Sequence, residues 1–222
     1  MTVNFIAGWF SMVKLAIINP QRDDVNSLIK EFPAGVGEYF LPVLGMFATM
    51  STVASLLFIT SYFIGANTIG DTGVSAEALA NALKNTDSLK AFVSGLSIEQ
   101  LTKINLWNIL ILSTTTLVYY ILFLNIPALF FKSKNPLTAL LISLKDLFSK
   151  KIIKTTAIFL LIFVVNFILS IFSTIFGTNI FIHFVLTLVN FYFVTIVAVG
   201  VFYYYYHNFI NQQIGNNVDI EI

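Results

Sequence analysis

The chain has 222 residues, of which 57% are apolar, 15% aromatic and only 10% charged, and its mean hydropathy is +0.86. Soluble domains carry about 25% charged residues, so composition alone indicates an integral membrane protein. A net charge of +1 leaves no basic face for nucleic acid, and the absence of cysteine excludes disulfides, thiolate metal sites and cysteine nucleophiles.

In chain order, the first apolar stretch, 5–18, is too short to cross a bilayer and is interrupted by Ser11 and Lys14. Phe5, Ile6, Trp9, Val13, Ala16 and Ile17 recur at helical spacing, which predicts a helix lying in the membrane interface. The pair Asn19-Pro20 ends it. The first residues lack the basic region of a signal peptide. Apolar runs long enough for a hydrocarbon core of about 30 Å follow near 41–64, 106–126, 152–176 and 180–206. Pro42 and Pro127 read as helix-boundary residues, and Gly45, Ala48, Thr49, Thr52 and Ser55 as a small-residue packing seam.

The two outer connections differ. Residues 65–104 are polar and hold helix signals: Ser75 before an alanine-rich run, and Ser97-Ile-Glu-Gln100, a capping box leading into the second span. A small helical outer cap is expected there. Only Gly177-Thr178-Asn179 separates the last two spans, which predicts a tight helical hairpin.

Loop charges orient the chain. Lys14, Arg22 and Lys30 precede the first span, and Lys132, Lys134, Lys145, Lys150, Lys151 and Lys154 lie between the second and third. In 65–104, Lys84, Lys90 and Lys103 are offset by Asp71, Glu77, Asp87 and Glu99. Both termini are therefore expected on the cytoplasmic side of the cell membrane. Tyr203 to Tyr206 fall where the last span exits and read as an interfacial aromatic belt. An interfacial helix next to an Asn-Pro pair precedes a membrane hairpin twice, a pattern that would fit two parallel repeats.

No Asp, Glu, Lys or Arg falls in the middle of a span, which argues against ion-coupled transport. Neutral polar residues do. Asn166, Ser170 and Ser173 share one helix face, and His183, Thr187 and Asn190 share one in the next. Counted from a turn at Thr178, Asn166 and Asn190 fall at equal depth, roughly 18 Å below it. Two readings stay open: hydrogen bonding between the helices, or a polar lining for a headgroup or small solute. With His183 and His207 far apart along one helix and no carboxylate near His183, no metal site or haem is expected, nor any other cofactor. His207 reads as an interfacial residue. Phosphate-binding glycine loops, nucleophile elbows and paired carboxylates are missing, so no enzymatic activity is expected.

Residues 136–149 form the most informative segment. Asn135 is a good N-cap and Pro136 a good first helical residue. Leu137, Leu140, Leu141, Leu144, Leu147 and Phe148 take one face, while Ser143, Lys145, Asp146, Ser149 and Lys150 take the other. Leucines in the acyl boundary and lysines among anionic headgroups would fit, and so would packing under the bundle. The string from Pro127 to Lys145, with Pro127, Lys134, Asn135, Ala139, Ser143 and Leu144, resembles the cytoplasmic segment of a broad group of uncharacterised prokaryotic polytopic membrane proteins. That group includes the membrane domain fused to some glycerophosphodiester phosphodiesterases, and Trp9 to Pro20 resembles the short helix at the start of such domains. Its members usually have more spans, and the phosphodiesterase domain has no counterpart here, so the resemblance implies architecture without activity.

The expectation is an all-α membrane protein with four transmembrane helices and two cytoplasmic amphipathic helices. Its expected role is non-enzymatic: a scaffold or accessory subunit engaging membrane lipids, a protein partner or a second copy through Lys132, Lys134, Lys145, Lys150, Lys151, Lys154, Trp9 and Lys14. The alternative is a transport component whose pathway forms by oligomerisation around Asn166 and Asn190.

Overall fold

A computed structural model describes residues 3–20, 25–176 and 180–211. Among them every regular element is helical: α1 (Val3–Ile18), α2 (Val25–Thr68), α3 (Ala76–Ala82), α4 (Thr86–Gly95), α5 (Ile98–Leu122), α6 (Asn125–Phe131), α7 (Pro136–Leu147), α8 (Ile152–Phe176), α9 (Ile180–Tyr205) and a π-helix (Tyr206–Ile210). Four stretches are long and apolar enough to cross a membrane: Asn26–Thr68, Ile98–Phe131, Ile152–Phe176 and Ile180–Ile210. The protein is an all-α, multi-pass membrane protein. Arg22 and the expected turn at Gly177-Thr178-Asn179 lie outside the described residues.

Of the two prolines read as helix boundaries, one is and one is not. Pro33 and Pro42 lie inside α2, so Pro42 is not a boundary. A proline there leaves the carbonyl four residues earlier without its usual donor, and packing against α1 accompanies the extension of the helix through it. A side-chain carbon added to Gly8 would lie 2.7 Å from the Phe32 ring, and one added to Gly35 would lie 2.3 Å from Ser11, so the two helices meet where side chains are absent. Ser11 Oγ also donates to Glu31 Oε1 at 2.7 Å. Pro127 sits in the first turn of α6, a helix boundary near the end of the apolar stretch Ile98–Phe131, because α5 stops at Leu122. First-turn positions tolerate proline, since their N–H groups have no intrahelical acceptor.

The chain divides into two compact units, residues 1–50 with 120–222, and residues 51–119. In the second unit, α2 ends at Thr68, just before Gly70, whose φ of 75° is open to glycine, and Ile69 and Gly70 both donate to the Gly65 carbonyl. Gly65 lies against the Trp107 ring, and Trp107 Nε1 donates to the Gly70 carbonyl at 3.1 Å. Ser75 caps α3, Asn85 caps α4, and Ser97 and Gln100 cap α5 reciprocally at 3.2 and 3.0 Å.

The first unit has an aromatic core. Phe10 of α1 stacks on Phe202 of α9 at 4.9 Å, and Tyr39 of α2 stacks on Phe130 of α6 at 4.3 Å. Ala7, Met46, Leu124, Ala128 and Leu147 fill the space around them. Stacked pairs of this kind add about 0.5–1.5 kcal/mol beyond their buried area.

Candidate functional site

The lysine-bearing end of the first unit is built on α7. Asn135 Oδ1 accepts the Leu137 and Thr138 amides at 3.0 and 3.2 Å, which starts the helix at Pro136. The Pro136 ring fits because Gly45 of α2 has no side chain, and a carbon there would lie 2.8 Å from the ring. That close approach gives Gly45 a specific role in seating α7.

α7 is turned differently from its sequence pattern. Ser143 and Asp146, expected on the outer polar face, are buried with Ala139 and Leu147. Leu137, Leu141 and Phe148 are exposed at 65%, 68% and 62%. Two features account for this. Ala139 and Ser143 are small enough to admit a neighbouring helix, and Asp146 finds a cation inside. The leucines thereby form an outward apolar edge, one side of which carries the exposed Lys145.

Asp146 organises the buried side. Lys132 Nζ contacts its two carboxylate oxygens at 3.1 and 2.9 Å, and the Tyr205 hydroxyl donates to Oδ2 at 2.5 Å. The same ammonium lies 5.5 Å from the Tyr205 ring and 5.8 Å from that of Phe209. Lys151 donates to the Asn208 carbonyl and sits 5.2 Å over Phe209, and its partial burial lowers its pKa. The Thr155 and Tyr204 hydroxyls bond at 2.7 Å. One charged network thus ties α6, α7, the start of α8 and the π-helix together.

A second cluster surrounds Tyr39. Lys14 Nζ donates to the Tyr39 hydroxyl at 2.7 Å and lies 5.3 Å over its ring, and burial lowers the Lys14 pKa against the opposing pull of Glu38. Lys134 lies 5.5 Å over the same ring and pairs with Glu38 at 2.9 Å.

These clusters divide the expected lipid- or partner-binding residues. Lys14, Lys132 and Lys151 are partly buried and engaged inside the protein, Lys134 is paired, and Trp9 is half-buried with its ring 4.9 Å from Phe10. Lys145, Lys150 and Lys154 are exposed and have no hydrogen-bond or ion-pair partner among the described residues. Beside them Phe148 and Ile153 are exposed, Ile153 at 81%.

The tyrosine belt is also divided. Tyr203 is exposed and Tyr206 half-buried, whereas Tyr204 and Tyr205 are buried and bonded to Thr155 and Asp146. Four consecutive helical residues sweep most of a turn, so they cannot share one membrane-facing side.

In the spanning part, Asn166 and Ser170 extend the stripe that begins with buried Thr155 and Phe159, but are themselves exposed. Asn190 and Ser173 are half-buried, and His183 and Thr187 are exposed. The Thr187 hydroxyl bonds to the His183 carbonyl of its own helix at 2.8 Å. No hydrogen bond joins the two stripes among the described residues. Sequence reasoning did not find Asn125, which is fully buried at the start of α6 with neither side-chain amide atom bonded to any of the described residues. No group of three His, Asp or Glu residues able to hold a metal comes together among the described residues.

Fold and site together define a multi-pass helical membrane protein with a charged network at one end of its spans. Comparison with protein-family models, curated proteins and solved structures finds no match.

Proposed function

We propose that this protein is a non-enzymatic membrane scaffold or accessory subunit whose lysine-bearing end engages anionic headgroups on the cytoplasmic face of the cell membrane. The supporting observation is the division among the lysines. Lys145, Lys150 and Lys154 stand exposed beside Phe148 and Ile153, while Lys14, Lys132, Lys134 and Lys151 are engaged within the protein. Apolar side chains entering the acyl boundary next to free ammonium groups is the pattern of an interfacial surface, each such lysine contributing about 1 kcal/mol of attraction to an anionic leaflet. The resemblance to polytopic membrane domains, over Pro127 to Lys145, reaches Lys145 at the edge of this surface and supports an architectural role.

The test is lipid selection. Changing Lys145, Lys150 and Lys154 to Gln should reduce the enrichment of phosphatidylglycerol around the reconstituted protein, and unchanged enrichment would end this reading. Orientation is checked separately with Lys90→Cys and Lys150→Cys, since the chain has no cysteine of its own. Labelling of both from one side would contradict it.

A second reading is transport, favoured by the exposure of Asn166 and Ser170 on a stripe whose other end is buried. In that case, Asn166→Leu with Asn190→Leu abolishes solute flux in proteoliposomes while the protein still folds. Flux that survives both changes would exclude it.

A further inference from the structure

α9 carries an exposed apolar stripe in which Val185, Leu188, Tyr192, Ile196, Val199 and Tyr203 follow at three- and four-residue steps. In a helix that crosses a membrane this is the face turned to hydrocarbon. Toward the lysine-bearing end, the stripe runs into an open groove between the end of α1 and the end of α9. The groove has a volume of about 610 Å³, within the range of roughly 300–1,000 Å³ typical of ligand sites.

In the groove, Ala16, Ile17 and Val199 form an aliphatic wall, Tyr203, Tyr206 and His207 form a rim, Asn211 adds a further polar group, and no carboxylate among the described residues lines it. The His207 ring centroid lies 4.2 Å from that of Tyr203 and 5.5 Å from that of Tyr206, so the three rings pack as one cluster. His207 belongs to the π-helix, a rare widening of the backbone that recurs at functional sites. The Lys151 bond to the Asn208 carbonyl ties this rim to the turn before α8, level with the headgroup region that the membrane reading places there.

We propose that this groove binds one phospholipid molecule. One acyl chain lies along the aliphatic wall between α1 and α9, continuous with the hydrocarbon-facing stripe. Its phosphate sits at the rim, accepting hydrogen bonds from the Tyr203 and Tyr206 hydroxyls and from a ring N–H of His207. An aliphatic wall with a donor-bearing rim matches the two parts of a phospholipid, and the stripe supplies a route from the bilayer. The proposal needs only the membrane-spanning architecture. It does not involve Lys145, Lys150 or Lys154, so it and the headgroup reading can fail separately.

The experiment uses the full chain reconstituted with dioleoyl-phosphatidylglycerol and dioleoyl-phosphatidylcholine, extracted into mild detergent and weighed by native mass spectrometry. The wild type should retain one phospholipid per monomer. Ala16→Trp, which fills the groove, should lose it while keeping its helical circular dichroism and monodisperse elution. Val199→Trp fills the same groove from the other helix and serves if Ala16→Trp does not fold. Leu161→Trp, on an exposed part of α8, should retain the lipid. Tyr206→Phe combined with His207→Ala should weaken retention by removing rim donors without closing the groove. The proposal is overturned if a folded groove-filling variant keeps the lipid, or if Leu161→Trp loses it equally. It also fails if the lipid is found only on a dimer, if inorganic phosphate raises the thermal midpoint as much as the phospholipid does, or if removing residues 212–222 increases lipid uptake, which would assign the groove to the chain's own tail.

Discussion

Two lysine–carboxylate pairs occupy the same unit of the molecule and differ chiefly in their surroundings. Lys134 and Glu38 meet at 2.9 Å with side chains 58% and 42% exposed, whereas Lys132 and Asp146 meet at the same distance with 15% and 12% exposed. Contact distance therefore says nothing about their weight. The exposed pair is screened and contributes about 0–1 kcal/mol. The buried pair has surrendered hydration, so losing one partner leaves a stranded charge, typically at a cost of about 3–5 kcal/mol. Asp146 offsets that loss by accepting from both Lys132 and Tyr205. The comparison separates a pair whose loss strands a buried charge from one whose loss costs little.

The largest effect should come from breaking the buried pair. Asp146→Ala strands Lys132 and is expected to lower stability by about 3–5 kcal/mol, measured by thermal unfolding in detergent. A loss no greater than that of a surface substitution would remove the distinction between the pairs. Tyr205→Phe keeps the ring and removes one hydrogen bond to a charged group, for an expected loss of about 1.5–3 kcal/mol in the same assay. Asn125→Leu is expected to run the other way, raising the thermal midpoint, because the buried amide it replaces is unbonded. Such a group costs about 1–3 kcal/mol, and a lowered midpoint would mean that Asn125 has a partner. Lys134→Gln should be the smallest, within about 1 kcal/mol of the wild type and shrinking further as salt is raised.

The helical, membrane-spanning class was legible in the sequence because apolar runs near 152–176 and 180–206 have no other stable form. The capping signals were legible too: Asn135 and the Ser97/Gln100 box act through neighbours only a few residues away. What was not legible depends on distant partners. The α7 pattern placed Asp146 with Lys145 and Lys150, and only the proximity of Lys132 and Tyr205 explains why it turns inward. Pro42 read as a boundary because the pairing of Gly8 with Phe32 and of Gly35 with Ser11 joins residues more than twenty positions apart. Gly45 had the spacing of a packing seam, but the Pro136 ring it admits could not be inferred from that spacing.

We propose that Lys145, Lys150 and Lys154 meet anionic headgroups while the engaged lysines serve the fold. The most direct measurement reconstitutes the protein in mixed phosphatidylglycerol and phosphatidylcholine vesicles, cuts polymer-bounded discs and assays the lipid ratio around each variant. The account predicts that changing Lys145, Lys150 and Lys154 to Gln lowers phosphatidylglycerol enrichment with no change in thermal midpoint, whereas Lys132→Gln lowers the midpoint and leaves enrichment intact in the protein that stays folded. Equal enrichment in the triple variant and the wild type would contradict it.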